Sequence, residues 1–543
     1  MIRTASLLVG LFMLLAPWAV QSQSSLPFEI MLEEITYPNW PGVQSFAGGH
    51  YNGKFIIIGG RIQGLHRRMP TQAFSEAGNN KDVWVLDPAT GQVWSTSLSV
   101  LPTNMYEQLQ STNLEFEQVG NTLYIIGGYG WSATIKEFLT YPYLTAVDLP
   151  TLVNAVMSGG NIEPAFRQIE DSRLAVTGGY LDKLNNTFVL AGGQYFEGRY
   201  NPMGPNSGPG FFQEYTNAIK RFDIVDDGIN LSIANYVETV DANALHRRDY
   251  IMAPQVFPGG QPGLTMFSGV FQYNANLPWL NCVDITSTSY QERNDFVQNF
   301  SHYHGARLPI YDANDQSTHT VFFGGIARYY LDANGNLIDD TNVPFVKTIS
   351  VVTRDASNAL SEQAIGEMPG YLGAGAEFFL ADDAPTTIFE DMLDLSALTP
   401  GDTVLAGYIY GGIESTQPNI FNINNGTQSS ASNRLFKVWI ITPVSTDVKD
   451  KSLKKAAITL SPNPAAAGES VLMRVDITEK IAQLNADLVS LDGTLIGSLM
   501  RKTNLAPGSY TFQLDLPDVA TGVYLVRLQE GNTIWAKQIV IHD

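Results

Sequence analysis

Cysteine is almost missing from this chain. Its 543 residues include one, Cys282, so no disulfide can close within the chain and no multi-cysteine zinc site can be built. Charge is also scarce, at 16% of residues, which argues against a disordered or coiled-coil chain. What charge there is runs one way: 32 Lys and Arg stand against 53 Asp and Glu, a formal net charge of −21. An acidic field of that size repels nucleic acid and anionic membrane surfaces, so neither is expected as a partner. Beyond the N-terminus, no run has the length and apolarity of a transmembrane helix. The fold must hold by packing, and 44% hydrophobic residues with 11% aromatics supply the material. The length exceeds one ordinary core and points to two or more domains, unless a closed repeat architecture absorbs it.

The N-terminus carries one positive charge at Arg3, an apolar run from Leu7 to Leu15, and small residues from Ala16 to Ser22. These are the three regions of a secretory signal peptide, expected over 1–22 with cleavage near Ser22. No cysteine follows the apolar run, which excludes the lipid-anchored version of such a signal in a bacterial setting.

What recurs along the chain is an apolar strand running into a glycine pair: Phe55 to Gly59-Gly60, Leu123 to Gly127-Gly128, Phe188 to Gly192-Gly193, Val321 to Gly324-Gly325 and Tyr408 to Gly411-Gly412. A degenerate copy, Leu264 to Ser268-Gly269, fills the gap between the third and the next. Turns that suit a hairpin precede several copies (Asn52-Gly53, Gly120-Asn121, Asn185-Asn186), so each apolar strand reads as the second of a pair. A further strand with aromatic character follows, as in Val83 to Asp87 before Trp94, and again at Ala218 to Asp223, Leu280 to Ile285, Phe345 to Val351 and Leu435 to Ile441. The series resembles the kelch repeat. That resemblance implies an all-β fold, a kelch-type β-propeller of about six blades over 23–443, with long loops absorbing the extra spacing. Phe28 to Ile35 alternates apolar and acidic residues, as a ring-closing strand beside Leu435 to Ile441 would. Two separate β-sandwiches are the alternative.

The sequence turns polar and charged around Lys449 to Lys455, which reads as a linker over 444–457. The segment 458–543 opens with Ser461-Pro462-Asn463-Pro464, turns at Leu491-Asp492-Gly493, and continues through Gly522-Val-Tyr524-Leu-Val to Lys537-Gln-Ile-Val. It resembles the type A sorting domain of type IX secretion, a small Ig-like β-sandwich. The resemblance implies a source in the Bacteroidota, passage through the periplasm, the type IX machinery as partner of 458–543, and a secreted or cell-surface destination.

For chemistry, His246-Arg247-Arg248-Asp249 and Leu65-His66-Arg67-Arg68 set paired guanidinium groups just outside expected strands, and Arg61, Arg199, Arg307 and Arg328 also lie near blade strands. Converging at a propeller mouth, they would grip carboxylates or acidic sugars bidentately; dispersed, they would tie blades together through ion pairs. His302-Tyr303-His304 sets two histidines on one face of a strand, as metal ligands require, but no third ligand is identifiable, and neither a metal nor a cofactor is expected. Asp332 to Asp340 has the oxygen-rich look of a calcium loop without its closing carboxylate, so a hairpin turn explains it better. Cys282 is read as a small buried residue. With His302 and His304 it permits the thought of a copper-radical oxidase on a kelch scaffold, whose spacing motif is absent. Two functions stay open. One is an exported module that recognises a glycan or protein through its long loops. The other is a sugar-acting enzyme similar to the sialic acid epimerases on kelch propellers, for which no acid and base pair can be named.

Overall fold

In the first blade, alternation along a single strand dictates the packing. Ile56 and Ile58 of Lys54–Ile58 enter one core cluster while Phe55 and Ile57 enter another. Both faces of the sheet are covered, so the strand reads as an unbroken apolar run rather than as in-out alternation.

The computed structural model describes residues 26–204, 208, 210–443, 456–477, 480–490, 493–530 and 533–542. The expected signal peptide and the linker as far as 455 lie outside them. The chain divides into two compact units, Met1–Val444 and Ser445–Asp543.

The first unit is a six-bladed β-propeller built from four-stranded antiparallel sheets. The first blade is Ala47–Tyr51, Lys54–Ile58, Asp82–Leu86 and Val93–Ser97; the second is Thr112–Val119, Thr122–Ser132, Tyr143–Asp148 and Phe166–Glu170; the third is Thr177–Leu184, Thr187–Gly198, Ala218–Asp226 and Leu231–Val240. The fourth is Ile251–Phe257, Gln261–Phe267, Cys282–Ile285 and Tyr290–Arg293; the fifth is Arg307–Asp312, Ser317–Ile326, Phe345–Arg354 and Leu360–Glu367. The sixth joins Ala376–Leu380, Thr403–Gly411 and Arg434–Ile441 to Glu29–Thr36 from the other end of the chain. That last strand pairs antiparallel with Arg434–Ile441, Glu29 opposite Ile441 and Thr36 opposite Arg434, where the sequence had led us to expect it.

Two observations close the ring. The innermost strand of each blade contacts that of the next, the sixth returning to the first. One apolar cluster also fills each gap between neighbours, from Val83 against Leu123 between the first two blades to Phe55 against Phe379 between the last and the first. Each fully buried Ile, Leu or Phe in these gaps contributes about 1.5–3 kcal/mol.

The glycine pairs sit where one blade's second strand meets the chain entering the next. The N–H of Gly60, Gly128, Gly193, Gly325 and Gly412 donates to Ser111, Val176, Arg247, Leu372 and Val43 O, at 2.7 to 3.0 Å. The glycine before each has a positive φ, and a Cβ on it would meet that same carbonyl or a close neighbour. Two glycines are therefore needed because backbone packs on backbone. In the degenerate fourth copy Ser268 takes the left-handed conformation itself, at a φ of 57°.

The expected turns at Asn52-Gly53, Gly120-Asn121 and Asn185-Asn186 each link an inner strand to its second strand. Cys282 is fully buried between the fourth and fifth blades, and burial pushes its thiol up to about 12. Tyr329–Leu331 and Leu337–Asp339 pair as a hairpin, with Asp332 accepting from the N–H groups of Asn334 and Asn336.

The second unit packs the sheet of Ala456–Ser461, Ser470–Ile477 and Gly508–Asp515 against a five-stranded sheet containing Ile481–Ser490, Leu495–Leu505, Gly522–Glu530 and Thr533–His542. Val471, Met473, Val475 and Leu514 of the first sheet share a core with Leu484, Leu488, Val526 and Ile539 of the second, which makes a β-sandwich. Asp492 of the expected turn lies outside the described residues.

Candidate ligand-binding site

The start of each inner strand and the end of each second strand converge on one face. There hydrogen bonds close a ring about the axis, main chain to main chain except for the Thr177 hydroxyl: Asn113 N–H donates to Ser45 O at 3.1 Å, Thr177 Oγ1 to Asn113 O at 3.1 Å, Asp249 N–H to Gly178 O at 2.7 Å, His304 N–H to Asp249 O at 3.0 Å, Gly375 N–H to His304 O at 2.9 Å and Ser45 N–H to Gly375 O at 2.9 Å. This ring floors a cavity of about 920 Å³. The residue after each glycine pair lines it (Arg61, Tyr129, Gln194, Ile326, Ile413), and in the degenerate blade Phe271, two residues after Gly269, does so.

One wall of the cavity is aromatic. The second strands of the second and third blades run on past their glycine pairs, and Glu137–Thr140 and Phe211–Tyr215 join them into a continuous sheet. This extension carries Tyr129, Phe196 and Phe211, and Tyr200 and Phe74 pack onto it; Phe196 stacks on Phe211 at 4.8 Å, and Phe74 meets Tyr129 edge-on at 5.6 Å. Across the mouth, His246 is sandwiched between Tyr215 at 3.8 Å and Tyr273 at 3.9 Å. Amides, hydroxyls, histidines and arginines supply the polar lining, with Asp249 as its single carboxylate among the described residues against Arg61, Arg68 and Arg248. Three buried lining atoms have no hydrogen-bond partner among the described residues: His66 Nδ1, Asn201 Nδ2 and His304 Nε2, the last facing the Glu377 carboxylate as an ion pair.

The residues singled out from sequence are dispersed. Arg248 lines the cavity, pairs with Asp249, donates to Tyr215 OH at 3.0 Å and lies over Phe271. Burial works against its charge, but Asp249 and the nearby tyrosines more than offset this and raise its pKa. Arg61 also lines the cavity, yet its donors are taken by Asn79, Gln63 and Ser75 O, and burial pulls it down to about 10. Arg247 is wholly buried and pins its own loop through Ala244 O, Ser268 O and Asn281. Arg67 bonds Gln72, Arg199 reaches Thr71 O and Ala73 O over the Phe138 ring, and Arg328 forks onto Asp339; none of the three lines the cavity. Arg307 lies below the floor, 3.0 Å from Asp391 and 3.6 Å from Asp182.

The two histidines of His302-Tyr303-His304 part company. His302 is buried, its Nε2 2.9 Å from Gln298 O and its Nδ1 accepting from Arg328 N–H; burial lowers it to about 4. His304 faces the cavity with 20% of its side chain exposed, and its Nε2 is 2.9 Å from Glu377 Oε1. Burial opposes the imidazolium, but the Glu377 carboxylate outweighs it and raises the pKa. Among the described residues no group of three or more His, Cys, Asp or Glu is placed to hold a metal ion.

Sequence reasoning missed the aromatic wall because its rings come from three strands (Tyr129, Phe196, Phe211) and two connecting segments (Phe74, Tyr200) with no shared spacing. One signal was available, the residue after each glycine pair.

Residues 459–542 match the family of secretion system C-terminal sorting domains. This tail marks the protein for type IX secretion, and the protein is exported to the cell surface or the extracellular space. Among the described residues no helix is long and apolar enough to cross a membrane. No curated protein matches the sequence. Among solved structures, the chain is similar to YjhT, at 12% identity over 73% of this chain and 99% of that one, with a TM-score of 0.39. It is also similar to CoXyl43, a GH43 β-xylosidase/α-arabinofuranosidase from a compost microbial metagenome in complex with xylotriose in its calcium-free form, at 8% identity over 75% and 93% of the two chains, with a TM-score of 0.27. At these TM-scores neither carries weight here; the propeller rests on strand pairing and core packing.

Proposed function

We propose that the exported propeller is a kelch-type recognition module that binds a saccharide in the cavity above the floor ring. The observation that carries this reading is the pairing of an aromatic wall with buried polar atoms that have no hydrogen-bond partner among the described residues. Sugar rings present C–H faces that lie against aromatic faces, and hydroxyls that bond amides, guanidinium groups and histidines. Tyr200 and Phe211 suit the first need; Asn201 Nδ2, His66 Nδ1 and Gln213 suit the second. In a chain of net charge −21, a lining of three arginines against one aspartate also favours an electron-rich ligand. The test is a glycan array probed with the secreted protein and its Tyr200→Ala variant. Binding that the variant loses supports the reading; no glycan above background, with a protein captured instead, sinks it.

A second reading, action on a bound sugar, is favoured by His304. Its imidazole opens onto the cavity while the nearly buried Glu377 holds its other side, the arrangement of a base oriented by a carboxylate. Glycoside hydrolysis by paired carboxylates is not favoured, because among the described residues Asp249 is the one carboxylate in the lining. A sugar bound by the array that is also converted, with conversion but not binding lost in His304→Gln, would establish it. Binding without turnover leaves a recognition module.

A further inference from the structure

The inner strands begin at the cavity, so their hairpin turns mark the opposite end of the channel. That end is crossed by the segment 381–402, which connects the first two strands of the sixth blade. It touches the ring from nearly every side. Asp382 accepts from Gly53 N–H in the turn of the first blade at 2.7 Å, and Glu390 from Gly120 N–H in the turn of the second at 3.2 Å. Phe389 and Met392 are buried in the cluster between the third and fourth blades, and Leu393–Asp394 runs parallel to Ile310 and Tyr311 of the fifth.

The segment sits on an unbalanced set of charges. Asp391 meets Arg307, and 42% of the Asp391 side chain is exposed at the channel end. Behind Arg307 lies Asp182, whose side chain is 3% exposed, whose Oδ1 accepts from Lys183 N–H and whose Oδ2 has no hydrogen-bond partner among the described residues. Glu117 of the second blade faces Asp182, Asp391, Glu390 and Arg307. Tyr180 of the third blade lies under the Arg307 guanidinium, near Glu377 of the sixth; Tyr250 of the fourth adjoins Glu115, and His50 of the first faces Asp382 and Glu390. One guanidinium thus serves Glu117, Asp182 and Asp391.

We propose that the segment 381–402 is a pH-responsive plug of the channel, seated while the carboxylates behind it share a proton and loosened when alkaline pH ionises them all. Burial first, then Asp391, pushes Asp182 up to about 8, against the pull of Arg307 and the Lys183 N–H. The sign follows from linkage. A carboxylate whose pKa is raised in the seated form favours that form at low pH, and the preference is lost as pH rises from the ordinary carboxylate range through the raised value. If Asp182 regains an ordinary pKa once the plug lifts, the open fraction grows by up to roughly 100-fold between about pH 6 and about pH 9.

The test is hydrogen exchange of the 381–402 amides in the full chain at those two pH values, corrected for intrinsic exchange. The expected result is a selective loss of protection at the higher pH that Asp182→Asn flattens. Glu117→Gln serves as a second variant and should flatten it in the same sense. Protection of the segment that does not change with pH, or that changes equally in wild type and both variants, overturns the proposal.

Discussion

Replacing Gly127 with alanine tests why the repeat carries glycine pairs at all. Gly127 has a φ of +65°, and a Cβ there would lie 1.9 Å from Val176 O. To reach an ordinary contact, that carbonyl must retreat by more than about 1 Å, yet it is held by Gly128 N–H at 3.0 Å. The left-handed backbone costs an alanine about 1–2 kcal/mol. Straining or breaking a buried hydrogen bond between blades adds about 1–3 kcal/mol, for a total loss of about 2–5 kcal/mol. Gly120 is the control: its φ is +56°, but nothing lies within 4 Å of its would-be Cβ, so Gly120→Ala should cost only the backbone component. The assay is urea unfolding of the full chain followed by aromatic fluorescence, with the two variants compared at their midpoints. Gly127→Ala should be the less stable by about 1–3 kcal/mol. Equal midpoints would refute the account of the glycine pairs as seats for the neighbouring blade's backbone.

Other consequences are open to measurement. Asp284 is shared by Arg354 at 2.5 Å and Arg293 at 3.0 Å, all three buried between the fourth and fifth blades. Asp284→Ala strands two guanidinium groups and should destabilise the propeller by about 3–5 kcal/mol in the same unfolding assay; a loss below about 1 kcal/mol would show that Asp295 and Asn358 suffice. Deleting 458–543 in the native host should trap the protein in the periplasm, as fractionation and immunoblotting would reveal, whereas unchanged export would mean that the tail is dispensable.

The blades were legible in the sequence because one geometric demand repeats: a second strand buried on both faces, ending where a neighbour's backbone allows no side chain. The closing strand was legible from its own alternation. In the second blade, Tyr143–Asp148 follows its glycine pair as the third strand, yet it stood outside the expected aromatic series, since a helix and irregular loops separate it from its outer partner Phe166–Glu170. The site was less legible. Arg247 and Arg248 are neighbours in sequence, but one turns into the buried loops of its own blade and the other faces the cavity, because successive residues of an extended chain point to opposite sides. The floor ring and the plug are built from main chain and from residues of several blades, so only the closed ring brings them together.

The most direct test of the central claim is a structure of the exported protein with a saccharide selected on the array. The sugar should lie against Tyr200 and Phe211, with its hydroxyls in reach of Asn201 and Arg248. A saccharide bound on the outer blade edges, or at the channel end closed by 381–402, would contradict the assignment of the cavity.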